Sequence, residues 1–299
     1  MLSQDLVGEL ETAARQTLGT EFRVEAVTAV GGGDINTAIC LHGPHTKVFA
    51  KLRPAGDLAM FKAEAEGLRT LAQCAAIRVP LVLACAEAGD RACLLLEWLD
   101  IQPLHDSPAA DRAGEALAEL HRCTRAEYGG NHDNFIGSTP QRNFESVNWA
   151  SFFITARLRP QFEMAAAHGF GANLLRQAES IYAKLPALFL EYRPAASLLH
   201  GDLWSGNLGS LADGSPVLFD PACYYGDRET DLAMTELFGG LPLAFYSAYR
   251  RSWPLHPDYE RRKPVYNLYH ILNHLNLFGR SYLGQAERLT AQLARELGR

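Results

Sequence analysis

Long apolar runs are absent from this 299-residue chain; none approaches the ~18 residues that a membrane-crossing helix requires. A basic surplus is absent too. Against 34 Asp and Glu stand 28 Lys and Arg, a net charge of −6, so the electrostatic footprint of a nucleic-acid binder is missing. The opening residues, Met1-Leu2-Ser3-Gln4-Asp5, lack the basic-then-apolar order of a secretory signal. The six cysteines, at 40, 74, 85, 93, 123 and 223, never fall at the short gaps of a zinc knuckle. They read as reduced, mostly buried thiols, and the cytoplasm as the compartment. There is no internal repeat, no low-complexity tract and no G-x(4)-G-K-[ST] phosphate loop. What is present is an ordinary globular composition, 47% hydrophobic and 21% charged, long enough for one large domain or two modest ones. No obligate protein partner is evident.

The first hundred residues read as a small sheet with one crossing helix. Phe22–Val30 is β-rich and runs into Gly31-Gly32-Gly33; Asn36–Leu41 follows, and His42-Gly43-Pro44-His45 is a turn. In Lys47–Leu52, alternation puts Val48, Ala50 and Leu52 on one face and Lys47, Phe49 and Lys51 on the other. Between Leu58 and Gln73, Phe61, Ala65, Leu68 and Leu71 recur at helical spacing. Val79–Ala86 and Arg91–Trp98 complete the strands, and Leu99–Pro103 reads as a hinge. The expected division is 1–99, a nucleotide-binding lobe, and 100–299, a larger, mainly helical lobe. Helices are predicted there at Ala109–Arg122, Trp149–His168, Leu174–Leu188, Asp231–Phe238, Pro257–Phe278 and Gln285–Leu297.

The densest chemical signal is Leu199-His200-Gly201-Asp202-Leu203-Trp204-Ser205-Gly206-Asn207, followed by Val217-Leu218-Phe219-Asp220. Phosphoryl transfer asks a protein mainly for positioning and charge. It needs a carboxylate to orient the attacking hydroxyl, and oxygen ligands for Mg²⁺. Asp202 fits the first role; Asn207, on the same polar loop, and Asp220, at the end of an apolar run, fit the second. An ordinary carboxylate pKa near 4 makes Asp202 an orienting group and late proton acceptor, not a strong base. His200 reads as a brace for the loop. A polar turn in which Asp202 and Asn207 merely cap backbone groups is the plain alternative.

The other half supplies matching parts. Gly32 and Gly33, between two strands, let backbone amides approach phosphates. Lys51, flanked by apolar residues, and Glu64, early on the next helix, suit a pair that holds α- and β-phosphates; Glu66 is the competing acid. Glu97, Trp98 and Leu99 end a strand where backbone groups could meet an adenine edge. Tyr128–Asn143 mixes hydrogen-bonding and aromatic residues in a pattern suited to a sugar, with Asp133 as a candidate contact. Trp204 offers either a second wall or core packing.

Taken together, Gly31–Asn36, Lys51 with Phe61–Leu68, Leu94–Leu99, Asn134–Gln141, Leu199–Asn207 and Asp220–Met234 resemble the fructosamine kinase (ketosamine-3-kinase) family. That family is related to aminoglycoside phosphotransferases and choline kinases. The resemblance spans residues 30 to 240. It implies an α+β, two-lobed, protein-kinase-like fold with a small antiparallel-sheet N-terminal lobe. It also implies ATP at the Glu97–Leu99 hinge, Asp202 as the catalytic aspartate, and Asn207 and Asp220 as Mg²⁺ ligands. The implied reaction is phosphorylation of the 3-hydroxyl of a ketosamine, leading to deglycation. Asp34 in the glycine loop and Tyr128–Asp133 depart from the family pattern. Two rivals stand beside this reading: a kinase for an aminoglycoside or choline-like alcohol, which calls for an acidic pocket, and a catalytically dead nucleotide-binding module.

Overall fold

A computed structural model describes residues 2–31, 37–105 and 107–297. The expectations for Gly32 and Gly33 lie outside the described residues. The chain opens on α1 (Gln4–Leu18), capped by the Ser3 hydroxyl, which accepts from the Leu6 N–H. Five strands and a second helix follow: β1 (Ala26–Ala29), β2 (Thr37–His42), β3 (Lys47–Pro54), α2 (Leu58–Cys74), β4 (Val82–Ala88) and β5 (Arg91–Glu97). The strands form one antiparallel sheet in the order β1-β2-β3-β5-β4.

The alternation in β3 sets what each face does. Val48, Ala50 and Leu52 point to a core shared with Leu10 and Ala14 of α1. Phe49 packs on the opposite side, with Phe61, Leu68 and Leu71 of α2. The sheet therefore has a helix on each face, where the sequence reading supplied only one. The omitted α1 is amphipathic but short of large apolar residues, so its stripe is weak. Its fully buried Leu10 contributes on the order of 1.5–3 kcal/mol. By covering the far face, α1 leaves the near face free to carry Lys51.

The rest of the chain is mainly helical, interrupted by short strands. In order these are β6 (Gln102–Pro103), α3 (Ser107–His121), β7 (Thr124–Arg125), β8 (Asn134–Ile136), β9 (Thr139–Gln141), α4 (Trp149–Phe152), a π-helical turn (Phe153–Leu158), α5 (Arg159–Ala167) and α6 (Ala172–Lys184). Next come β10 (Ala196–Leu199), β11 (Leu208–Ser210), β12 (Pro216–Leu218), β13 (Tyr224–Gly226), α7 (Glu229–Leu237), α8 (Leu243–Ser252), α9 (Tyr259–Phe278) and α10 (Leu283–Glu296). The sequence reading left out α8, which packs on α3. The approach is close at Gly114, where a Cβ would lie 2.2 Å from the Phe245 carbonyl.

Cysteine chemistry needs a correction. Cys74, ending α2, and Cys123, just past α3, are joined in a disulfide, their Cα atoms 6.3 Å apart. Folding brings together residues 49 positions apart, which spacing alone could not reveal. The other four cysteines are free. Among the described residues no helix is long and apolar enough to cross a membrane.

Candidate active site

A cleft of about 1080 Å³ runs between the five-stranded sheet and the helical part. On its far bank, β10 ends in the His200–Asn207 loop and β12 ends at Phe219-Asp220. The two segments are clasped: the Asn207 carbonyl accepts from the Phe219 N–H, and the His200 carbonyl from the Ala222 N–H at 2.8 Å. Gly201 sits at φ +84 and so close to Ala222 that a Cβ would lie 2.1 Å from its carbonyl oxygen. Only glycine fits there.

His200 is fully buried and braces the loop, as expected. Its Nε2 lies 2.9 Å from the Phe219 carbonyl, a pure acceptor, while the Asp202 N–H points at Nδ1 from 3.3 Å. That pattern requires the neutral tautomer protonated on Nε2, and burial holds its pKa below the usual value. Asp202 is different. Burial, reinforced by the negative charges of Asp220 and Asp231, pushes it up to about 7. Its carboxylate is thus a better proton acceptor at neutral pH than the ordinary value used in the sequence reading.

One loop support escaped that reading altogether. Asp231, buried near the start of α7, accepts from the backbone N–H of His200 at 2.7 Å and of Gly201 at 2.9 Å. Its other contact is His121 Nε2 at 3.2 Å. Burial opposes its ionisation, but these hydrogen bonds and the neighbouring histidines outweigh burial and keep its pKa below the usual value. The residue lay inside a recognised motif, Asp220–Met234, yet nothing in linear spacing pairs it with residues 30 positions upstream.

On the near bank Lys51, 4% exposed, sits between two carboxylates: Glu64 at 2.7 Å and Asp220 at 2.5 Å. Burial works against its charge, but Asp220 and Glu64 outweigh that and raise its pKa. Glu66, the competing acid, is exposed and lies 3.8 Å from His132. The geometry therefore selects Glu64. Asp220 holds a positive φ of +57, a conformation uncommon for residues with a Cβ, though Asp and Asn enter it more readily than most.

Asn207 and Asp220 face the cleft with one amide and one carboxylate. The Asn207 amide nitrogen donates to the Asp202 carbonyl, which leaves its Oδ1 as the atom able to accept or ligate. No cluster of three His, Cys, Asp or Glu able to hold a metal occurs among the described residues. Such a sparse oxygen set suits Mg²⁺, which keeps waters and takes phosphate oxygens as ligands, so the residues fit that ion.

Glu97, Trp98 and Leu99 all line the cleft. The Glu97 side chain is engaged by Arg78 at 2.5 Å, the Trp98 indole donates to Asp100, and the Leu99 carbonyl accepts from the Ile101 N–H. Trp204 lies in the cleft at 40% exposure, which rules out core packing; its ring lies over Gly206. Asp133 is the exception among the expected residues. It is not part of the cleft wall, and its carboxylate caps the Asn143 N–H at 2.7 Å, bracing the loop. The sequence reading also missed an aromatic wall opposite the loop, built by Phe238, His274, Phe278 and Tyr282. Phe238, His274 and Phe278 fell inside predicted helices with no role assigned, and Tyr282 fell between two of them.

Two banks, a buried lysine held by two acids, and an aspartate–asparagine loop define a protein-kinase-like phosphotransferase fold. A sequence model of the fructosamine kinase family matches residues 7–296, and the chain belongs to that family. A "probable ketoamine kinase" of Synechocystis is 44% identical over 282 residues, 94% of each chain. The chloroplastic protein-ribulosamine 3-kinase of Oryza sativa subsp. indica is 36% identical, over 90% of this chain and 79% of the rice protein. A candidate fructosamine-3-kinase from Haemophilus somnus 129PT superposes with a TM-score of 0.89 at 28% identity, covering 97% of this chain and 98% of the other. The aminoglycoside phosphotransferase APH(4)-Ia, solved with ADP and hygromycin B, shares the fold at a TM-score of 0.66 and 15% identity.

Proposed function

We propose that the chain phosphorylates the 3-hydroxyl of a ketosamine with ATP. The observation that carries this reading is the meeting, across one cleft, of Lys51–Glu64–Asp220 with Asp202 and Asn207. In it, residues 1–99 bind the nucleotide against Glu97–Leu99, and residues 100–299 hold substrate and catalytic groups. Lys51, kept charged and pinned by Glu64, offsets phosphate charge. Asp202 orients the substrate hydroxyl; as the new O–P bond forms and the bond to the β-phosphate oxygen breaks, it accepts the hydroxyl proton. Asn207 and Asp220 would hold Mg²⁺, which when bound neutralises charge developing on the phosphates. ADP and the ketosamine 3-phosphate are the products. Enolisation toward C1 lets the product expel the C3 phosphate, and water then hydrolyses the C1 imine so formed to release the amine. Deglycation is the role that follows.

The aromatic wall favours a ketosamine over an aminoglycoside. Polycationic substrates call for spare carboxylates, whereas Glu64 and Asp220 are tied to Lys51 and Glu97 to Arg78. Trp204 and the Phe238–Tyr282 wall instead offer ring faces to a sugar and its single ammonium. The test is ATP consumption with ketosamines, free sugars and aminoglycosides at equal concentration, with ³¹P NMR to place the new phosphate. Preference for the aminoglycoside overturns the substrate, and no turnover with any alcohol overturns the kinase.

A further inference from the structure

The Asn134–Gln141 hairpin does more than wall the cleft. Its two side-chain amides reach the segment that follows Asp220. Gln141, 2% exposed, uses its Nε2 twice, donating to the Ala222 carbonyl at 3.1 Å and to Asn134 Oδ1 at 2.8 Å. Asn134 in turn donates from Nδ2 to the Cys223 carbonyl at 2.8 Å. Two consecutive backbone oxygens, two and three residues past Asp220, are thus gripped from one side. From the other, Ala222 is held by its N–H bond to His200 and by the tight contact of its carbonyl with Gly201.

The grip is itself anchored. Tyr269 of α9 donates its hydroxyl to Gln141 Oε1 at 2.7 Å, which fixes which way the amide faces. Asn143 donates to Asn134 Oδ1 at 2.8 Å and accepts from Arg157 at 2.7 Å. Arg157 is fully buried in the π-helical turn, its guanidinium 3.9 Å from the Tyr224 ring centre. A buried amide whose donors and acceptor are all paired has one low-energy orientation, and turning it would orphan several groups at once.

We propose that Gln141, with Asn134, is a positioning residue for Asp220. By fixing the Ala222 and Cys223 carbonyls it holds Asp220 in the left-handed conformation that turns its carboxylate into the cleft. This rests on the phosphotransferase reading above. It adds a second support to the metal side, beside the one that the His200–Asn207 loop gives through Ala222 and Phe219.

The experiment uses the full chain with Mn²⁺ in place of Mg²⁺ and a non-hydrolysable ATP analogue. Free Mn²⁺ is read by electron paramagnetic resonance, alongside kcat, ketosamine KM and thermal unfolding. For Gln141→Leu, Mn²⁺ affinity is expected to fall about tenfold, the scale of a lost outer-shell support. A similar fall in kcat, with ketosamine KM within about twofold of the unmodified chain, marks an interaction that positions rather than binds. Unchanged Mn²⁺ affinity overturns the proposal, as does a rise in ketosamine KM alone, which would make the hairpin only a substrate wall. Should Gln141→Leu fail to fold, Tyr269→Phe removes one hydrogen bond and frees the amide to turn. An affinity loss of about threefold is then expected, and no loss overturns the proposal. If the unmodified chain itself binds no Mn²⁺–nucleotide, the phosphotransferase reading falls first.

Discussion

The two banks of the cleft are held by different means. On the helical bank the catalytic loop hangs by its backbone: Asp231 accepts from two successive N–H groups, and His200 ties the loop to Phe219. His200, Gly201 and Asp231 are buried, and Phe219 is partly so. On the sheet bank the site is a single lysine whose place depends on two acids, one of them on the opposite bank. The first arrangement is rigid before any ligand arrives. The second is a charge balance that an incoming polyphosphate and cation redistribute. Substitution of Asp202 on the helical bank should therefore act on the chemical step, and substitutions of Lys51 and its partners on nucleotide handling.

Asp202→Asn carries the largest expected effect, a fall in kcat of about 10³-fold with nucleotide affinity nearly unchanged, as for a lost acid–base group. Its pH profile gives a second reading. A carboxyl whose pKa is about 7 in the free chain accepts a proton only when ionised, so kcat/KM of the unmodified chain should fall as pH drops below ~7. The limb should be absent from the residual activity of Asp202→Asn. A mutant that keeps most of its turnover removes Asp202 from the role.

Lys51→Met comes next, with a loss of about a hundredfold in kcat/KM for ATP. Glu64→Ala should damage the same step, and the double mutant should be little worse than either single, because paired groups are not additive. Multiplicative losses would separate the two and weaken the contrast between banks. Smaller still, Asn207→Ala and Asp220→Ala should each raise the Mg²⁺ concentration required for activity by about tenfold. Asp220→Ala also removes a partner of Lys51, so it alone should alter ATP affinity at saturating metal. Overlaid titration curves would break the metal assignment.

How much of this was legible in the sequence follows from the range of each interaction. Asp202, Asn207 and Asp220 sit close together along the chain, and their residue types carry the chemistry, so the helical bank could be read almost directly. Lys51 and Glu64 were readable from strand alternation and helix phase. Asp231 was not, because its partners are backbone N–H groups, which leave no mark on residue type. The aromatic wall was hidden for another reason: it is assembled from the end of α7 (Phe238), from α9 (His274, Phe278) and from the turn after it (Tyr282), which are far apart along the chain. α1 and α8 were passed over although each buries an apolar stripe, Leu10 and Ala14 in the first, Phe245, Ala248 and Tyr249 in the second. The Cys74–Cys123 pair depends wholly on how the banks pack.

That disulfide gives the smallest expected effect on activity and the sharpest probe of the contrast. It joins the end of α2, the helix that carries Glu64, to a residue whose carbonyl accepts from Leu198 in the strand feeding the catalytic loop. The bond is thus a covalent tie between the banks, remote from the cleft. Closing a loop of 49 residues restricts the unfolded chain and stabilises the fold by about 4 kcal/mol on the loop-entropy estimate. Reduction, or Cys74→Ser, should lower the thermal midpoint by several degrees. The same change should leave kcat within about twofold, because Phe61, Leu68 and Leu71 already pack α2 in place. Thiol titration of the unfolded, unreduced chain should find four free cysteines of six; six would remove the tie. A large change in KM for ATP on reduction, with kcat held, would show that Glu64 is placed by the disulfide and not by packing. The sheet bank would then be set by its link to the helical bank, and the separation of roles drawn from the two sets of contacts would fail there.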